Sequence, residues 1–150
     1  ATVVPLYATV LHIVYPRDRE PESFTDLMRN ALIFAGQPGS ASRRVFERLT
    51  SAVELGDEGF RYEIGREAEV DLAVVFAPIA PDRLAEYPDV TLWSIGTPED
   101  IGHGGPVDSI VLLNPHFRPF IIPVGTYGDA ADGPVVTIRP VRRRAMVRLR

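Results

Sequence analysis

The sequence predicts an α/β domain in which a doubly wound, mostly parallel sheet is flanked by helices. The 150 residues are 45% hydrophobic and 24% charged, a composition typical of one soluble globular domain. Short apolar runs typical of strands buried on both faces alternate with helical patterns, as in parallel α/β sheets. No apolar stretch approaches the roughly 20 residues that span a bilayer.

Four segments have the length and the β-branched or aromatic content of buried strands. They are residues 8–15, which end at Pro16, and the runs Ala31–Ala35, Leu72–Phe76 and Val90–Ile95. Phe60–Ile64 is a fifth candidate. These runs define the predicted sheet.

Helices are predicted between the strands. Ser23 stands three residues before Asp26, the spacing of a capped helix start. Further helices are predicted over residues 41 to about 52, Pro81–Tyr87 and Asp108–Leu113. Repeated prolines after residue 115 restrict the rest to extended segments and turns.

The composition excludes several classes of site. Without cysteine the chain has no disulfide framework and no thiolate site. All 16 positive charges are arginines, which excludes Schiff-base chemistry and the lysine of nucleotide phosphate loops. Residues 139–150 carry six arginines and no acid, so the preceding 138 residues are strongly acidic. An acidic body disfavours binding to nucleic acid. The basic tail is interpreted as a solvated edge, with nucleic acid or anionic lipid as the alternative partner.

The turn between the second strand and the second helix is the first candidate site. Its residues, Gly36-Gln37-Pro38-Gly39-Ser40-Ala41-Ser42, follow a predicted parallel strand, where α/β folds bind ligands. Ser40 is a good N-cap, and the free amides of Ala41 and Ser42 at a helix start favour an anion. The spacing fits neither a Walker loop nor a dinucleotide-binding fingerprint. An ordinary turn that uses Gly and Ser for geometry alone is the alternative.

A second candidate is the glycine-flanked pair Thr126–Tyr127, which would present a hydroxyl and a phenol to a cleft unless it is a plain turn. The three histidines have no partner at metal-ligand spacing, and His12, in mid-strand, is interpreted as a core residue. No calcium loop and no nucleophile elbow occurs. The sequence therefore indicates no metal, no cofactor and no catalytic group.

Four stretches, taken together, carry a family resemblance. They are Val4–Val14, with a Pro-Leu-Tyr before an apolar run that contains histidine, the helix start Ser23–Leu27, the loop Gly36–Ser42 and the segment Arg118–Tyr127, which ends in Gly-Thr-Tyr. In this order they resemble TAXI-family solute receptors, the substrate-binding subunits of TRAP transporters. The chain departs from the family at Ala41 and Ser42, which replace Gly and Thr, and it lacks the family's Gly-Gly-Thr-Tyr motif.

The resemblance implies one lobe of a type II periplasmic binding protein, with hinge strands near residues 4–14 and 134–141. It implies a periplasmic or extracytoplasmic protein that binds a small carboxylated solute, an amino acid or organic acid, without catalysis and delivers it to TRAP membrane subunits. The ligand-binding residues would be Tyr7, Gln37, Gly39, Ser40, Ala41, Ser42, Arg43, Thr126 and Tyr127. Whether the chain is an excised lobe or a natural single-lobe protein stays open.

Two other functions remain as alternatives. The first is a ligand-sensing or interaction domain attached to a membrane or signalling protein, and the second is a small α/β enzyme. A single lobe is also expected to expose apolar hinge strands, through Leu11, Ile13, Val136 and Ile138. These strands would either form a homodimer or be covered by the chain's own basic tail.

Overall fold

A computed structural model describes residues 8–56, 63–65, 71–80, 82, 84, 87 and 89–141, with only the backbone of residues 51–56 and 63. Four predicted features lie wholly or partly outside these residues. They are Tyr7 with the start of the first hinge segment, most of the strand candidate Phe60–Ile64, most of the helix predicted over Pro81–Tyr87, and the basic tail from residue 142.

The described chain forms seven strands and three α-helices, with two short 3-10 helices at Pro98–Asp100 and Gly128–Ala130. The strands are β1 (Thr9–Pro16), β2 (Leu32–Phe34), β3 (Glu63–Ile64), β4 (Leu72–Pro78), β5 (Val90–Leu92), β6 (Phe117–Ile122) and β7 (Val135–Pro140). The helices are α1 (Phe24–Met28), α2 (Ala41–Gly56) and α3 (Pro106–Leu113). The strands predicted at residues 8–15, 31–35, 72–76 and 90–95 are therefore confirmed, although β2 and β5 are shorter than predicted.

The sheet topology differs from the prediction. Five strands form a mixed sheet in the order β3-β2-β4-β1-β5, and β6 and β7 form a separate antiparallel pair. Strand β1 is antiparallel to both β4 and β5, whereas β2 is parallel to β3 and β4. Of the five strand pairings described, only two are parallel.

The predicted fold class, a doubly wound and mostly parallel sheet of the type II periplasmic-binding-protein kind, is therefore wrong. The error has a physical cause, because an apolar run reports burial on both faces of a strand and not its direction. Strand β1 reads as a parallel strand since it lies between two neighbours, with Val10, Leu11 and Ile13 at most 2% exposed. The flanking helices are also less regular than predicted, because α1 has only five residues.

Helix α1 begins where the sequence predicts. The Ser23 hydroxyl accepts a hydrogen bond of 3.0 Å from the Asp26 amide, and the Asp26 carboxylate accepts one of 3.1 Å from the Glu22 amide. The first bond satisfies an amide that the first turn of a helix leaves without a partner, and the second holds the residue before the cap. The capped start predicted at Ser23 is confirmed.

The β6–β7 pair is joined to the five-stranded sheet. The Ile95 amide donates to the Val136 carbonyl at 2.8 Å, and the Thr137 hydroxyl donates to the Leu11 carbonyl at 2.6 Å. Val136 and Ile138 share one core with Leu11, Ile13, Ile33 and Phe46. The expected apolar surface along the hinge strands is therefore absent at Leu11, Ile13, Val136 and Ile138, which are all buried in this chain. The homodimer itself stays a prediction.

None of the helices in the described ranges is long and apolar enough to cross a membrane.

Candidate functional site

The start of α2 is shaped by a tight turn with two glycines in the left-handed region. Gly36 and Gly39 both have φ of +83°, which L side chains rarely adopt. At Gly36 an added Cβ would also lie 2.7 Å from the Ser40 hydroxyl and 2.9 Å from Ser42 Cβ. At Gly39 nothing lies within 4 Å of that position, so the turn is closed on one side and open on the other.

Ser40 caps α2, as the sequence predicts. Its hydroxyl accepts a hydrogen bond of 3.2 Å from the Arg43 amide, and its carbonyl accepts one of 3.1 Å from the Arg44 amide. Its own amide donates to the Gln37 carbonyl at 3.0 Å. The cap thus satisfies the third amide of the helix and holds the turn in place.

Ser42 is buried and fixes the helix start to the sheet. Its hydroxyl accepts a hydrogen bond of 2.8 Å from the amide of Phe76 in β4. Strand β2 has ended at this level, so the Ser42 hydroxyl takes the place of a neighbouring strand for that amide. The Ser42 side chain therefore has a structural role, and only its backbone amide remains for a ligand.

The amides of Ala41 and Ser42 donate to no acceptor within the described ranges. They are the first two amides of a 16-residue helix, where the dipole places partial positive charge. Ala41 is exposed, and so are Gln37 and Gly39 in the preceding turn. Unpaired amides at an open helix start can accept an anion.

Arg43 folds back over the same turn. Its guanidinium Nη2 donates to the Gly36 carbonyl at 3.0 Å, while its Nε is buried with no hydrogen-bond partner in the described chain. Arg44, the next residue, is exposed. Hence Arg43 adds a full positive charge to the helix start.

Tyr127, from the second candidate site, lies in the interior. It is 6% exposed, and its hydroxyl lies 2.7 Å from His12 Nε2 and 3.2 Å from the Ala80 amide. Thr126 is half-buried, and its hydroxyl donates to the Pro123 carbonyl at 2.8 Å. Both hydroxyls are thus used within the protein.

His12 is a satisfied core residue, as predicted. Its side chain is buried, and Nδ1 lies 3.0 Å from the Val10 carbonyl, so Nδ1 carries the proton and donates it. Nε2 is then the acceptor for the Tyr127 hydroxyl, which in turn accepts from the Ala80 amide. The sequence gives no signal for this pairing, because the two residues lie 115 positions apart.

Both candidate segments contact the carboxyl end of β4. Ser42 bonds to Phe76 inside the strand, and Tyr127 bonds to Ala80 two residues beyond its end. The exposed residues Gln37, Gly39 and Ala41 lie at the start of α2, whereas Tyr127 is buried. The start of α2, with Ser40, Ala41, Ser42 and Arg43, is therefore the candidate site.

Across the described ranges, no three histidine or acidic side chains are grouped so that they could hold a metal ion. No protein-family model matches the chain, and no curated protein matches it with significance. The candidate site must accordingly be judged from its own geometry.

Proposed function

We propose that this protein binds a small carboxylated solute without catalysis, through the start of α2. The observation that carries the proposal is that two amides without acceptors and one positive charge lie at the same open turn. These are the amides of Ala41 and Ser42 and the guanidinium of Arg43. A carboxylate bound at this turn would accept hydrogen bonds from the two amides.

Charge and polarity support an anionic ligand. Hydrogen bonds from backbone amides and a guanidinium to a carboxylate are charge-assisted and are about twice as strong as neutral ones. The helix dipole adds to them within the first turn.

The resemblance to TAXI receptors supports the solute class. Its loop motif coincides with Gly36–Ser42, the same turn that the structure leaves open at Gly39. We extend the proposal accordingly to an amino acid or organic acid as solute, and to delivery to TRAP membrane subunits outside the cytoplasm.

Titration of the ¹⁵N-labelled chain with acetate, glutamate and sulfate at constant ionic strength tests the proposal. We expect the Ala41 and Ser42 amide resonances to shift. The dissociation constants should be no tighter than about 0.1 mM, since one open turn buries far less of a ligand than a closed pocket.

Two matched variants test the role of the guanidinium. Arg43→Gln should weaken binding of glutamate about tenfold, the loss expected for one charge-assisted hydrogen bond. Arg44→Gln removes the same charge from the neighbouring exposed residue and should leave the affinity nearly unchanged. Equal losses in both variants, or shifts that avoid Ala41 and Ser42, would contradict the proposed site.

A further inference from the structure

An open groove of about 270 Å³ lies on the far edge of the five-stranded sheet, away from α2. One wall is β5 with the end of β1, and the other is the segment that leads into β7. Tyr15 lines this groove at the end of β1, opposite Thr91 of the edge strand β5. The α2 site contacts Phe76 of β4, on the other side of β1, opposite Leu11. The groove is therefore separate from the site at α2.

The two walls are held to each other by hydrogen bonds. At one end the Thr91 hydroxyl donates to the Ala130 carbonyl at 2.7 Å. At the other the Ser94 hydroxyl accepts from the Val136 amide at 2.9 Å and donates to the Gly96 carbonyl at 2.7 Å. The groove is thus preformed, and neither hydroxyl is left for a ligand.

Three other polar groups of the lining make no hydrogen bond within the described chain. In the part of the chain that the structure describes, no hydrogen bond or ion pair engages the Tyr15 hydroxyl, the Trp93 indole nitrogen or the Asp132 carboxylate. The rings of Tyr15 and Trp93 meet edge to face, with centroids 6.1 Å apart and planes at 68°. Two aromatic rings and one carboxylate therefore border the same space.

The charge on the groove lining is negative. Burial and the carboxylate of Asp132 raise the pKa of the Tyr15 hydroxyl, and nearby Arg17 lowers it by a smaller amount. The Arg17 guanidinium is directed to the Asp129 carbonyl, at 2.6 Å, and is not part of the lining. Asp132 is the only charged residue that lines the groove among the residues described.

We propose that this groove binds a small organic cation, an alkylammonium ion, against the paired rings of Tyr15 and Trp93 and beside the carboxylate of Asp132. Aromatic faces attract ammonium groups through the ring quadrupole, and tryptophan does so best. The carboxylate supplies the counter-charge. The volume equals that of about nine water molecules, which suits a ligand of a few non-hydrogen atoms.

Choline is the probe, and 3,3-dimethylbutan-1-ol, its uncharged carbon isostere, is the matched control. Trp93 is the only tryptophan of the chain, so its indole NH resonance reports on this groove without ambiguity. We expect choline to shift that resonance with millimolar affinity and the alcohol to leave it in place. Equal shifts with both would overturn the proposal, because they would indicate apolar contact without recognition of charge.

Charge-matched variants complete the test. Asp132→Asn should weaken choline binding about threefold, in line with an exposed ion pair. Asp129→Asn removes the same charge three residues away, outside the lining, and should leave binding unchanged. An Asp132→Asn chain that binds choline as tightly as the parent, or an equal loss in both variants, would overturn the role of Asp132 and with it the proposal.

Discussion

The pair formed by His12 and Tyr127 shows how a polar side chain is accommodated in the middle of a central strand. Each donor finds an acceptor: His12 Nδ1 donates to Val10, Tyr127 donates to His12 Nε2, and the Ala80 amide donates to Tyr127. Buried polar groups cost free energy unless they are paired in this way. The phenol thereby connects the start of the β6–β7 connection to the end of β4.

Replacement of the phenol tests this connection. Tyr127→Phe keeps the ring but leaves His12 Nε2 and the Ala80 amide without that partner, so we expect the free energy of unfolding to fall by about 1–3 kcal/mol. Urea denaturation followed by circular dichroism measures the change. Tyr87→Phe, which removes the hydroxyl of an exposed tyrosine, is the control and should change stability by less than about 0.5 kcal/mol. Equal effects in the two variants would show that the pair contributes nothing specific.

At the scale of single residues, the sequence predicts local contacts well and distant ones poorly. The Ser23 and Ser40 caps follow from side chains that reach amides three residues away, so spacing alone predicts them. The partner of the Ser42 hydroxyl is 34 positions away and the partner of His12 is 115 positions away. Only the folded sheet brings those pairs together. Residue spacing likewise gives no sign of the groove at Trp93.

At the scale of elements, the start of α3 depends on one carboxylate. Asp108, the third residue of the helix, accepts hydrogen bonds of 2.9 Å from the amides of Gly102 and Gly104. Both glycines have positive φ, which turns their amides towards the helix start. The hydrogen bond from the Gly102 amide has the largest effect on the pKa of this carboxyl group and lowers it. Desolvation raises the pKa by less, and the Gly104 amide lowers it further.

This lowered pKa makes the Asp108 contribution depend on pH. Because the folded protein binds the proton less tightly than the unfolded chain, the contribution is complete above the unfolded pKa and is lost as pH falls through the folded one. Asp108→Asn should therefore lower the urea midpoint at neutral pH, and this deficit should shrink as the pH falls below the ordinary aspartate pKa of about 3.9. Glu99→Gln, at an exposed acid nearby, is the control. A deficit that persists unchanged at acid pH would contradict the argument.

Strand and helix positions were largely predictable, but strand directions were not. The apolar content of β1 and β4 marks them as buried strands, and four residues of β1 and three of β4 are buried. Their antiparallel pairing, from Thr9 opposite Pro78 to Val14 opposite Ala73, leaves no trace in either run. The extended segments predicted after residue 115 are present as β6 and β7, but the sequence gives no sign that these two strands pair with each other.

For the whole molecule, the two sheets share one core. Val136 and Ile138 of β7 pack in the same cluster as Ile33 of β2, Phe46 of α2 and Val107 of α3. A shared core predicts that the sheets unfold together, as small single domains usually do.

Truncation in β7 tests this cooperativity. Ile138→Ala should lower the free energy of unfolding by about 2–5 kcal/mol through the cavity that it creates. Trp93 fluorescence, which reports on the five-stranded sheet, should shift its urea midpoint by the same amount as circular dichroism. Separate midpoints for the two signals would show that the β6–β7 pair unfolds independently.

The position of β1 between β4 and β5 has a consequence for biosynthesis. The strand ends at Pro16, but its neighbours begin only at Leu72 and Val90. With about 5–20 residues added per second, roughly 3 to 11 s separate the synthesis of β1 from that of β4. During that interval Val10, Leu11 and Ile13 have no strand to pair with. The nascent chain is therefore prone to aggregation through β1. The sheet can form only after the middle of the chain has been synthesised.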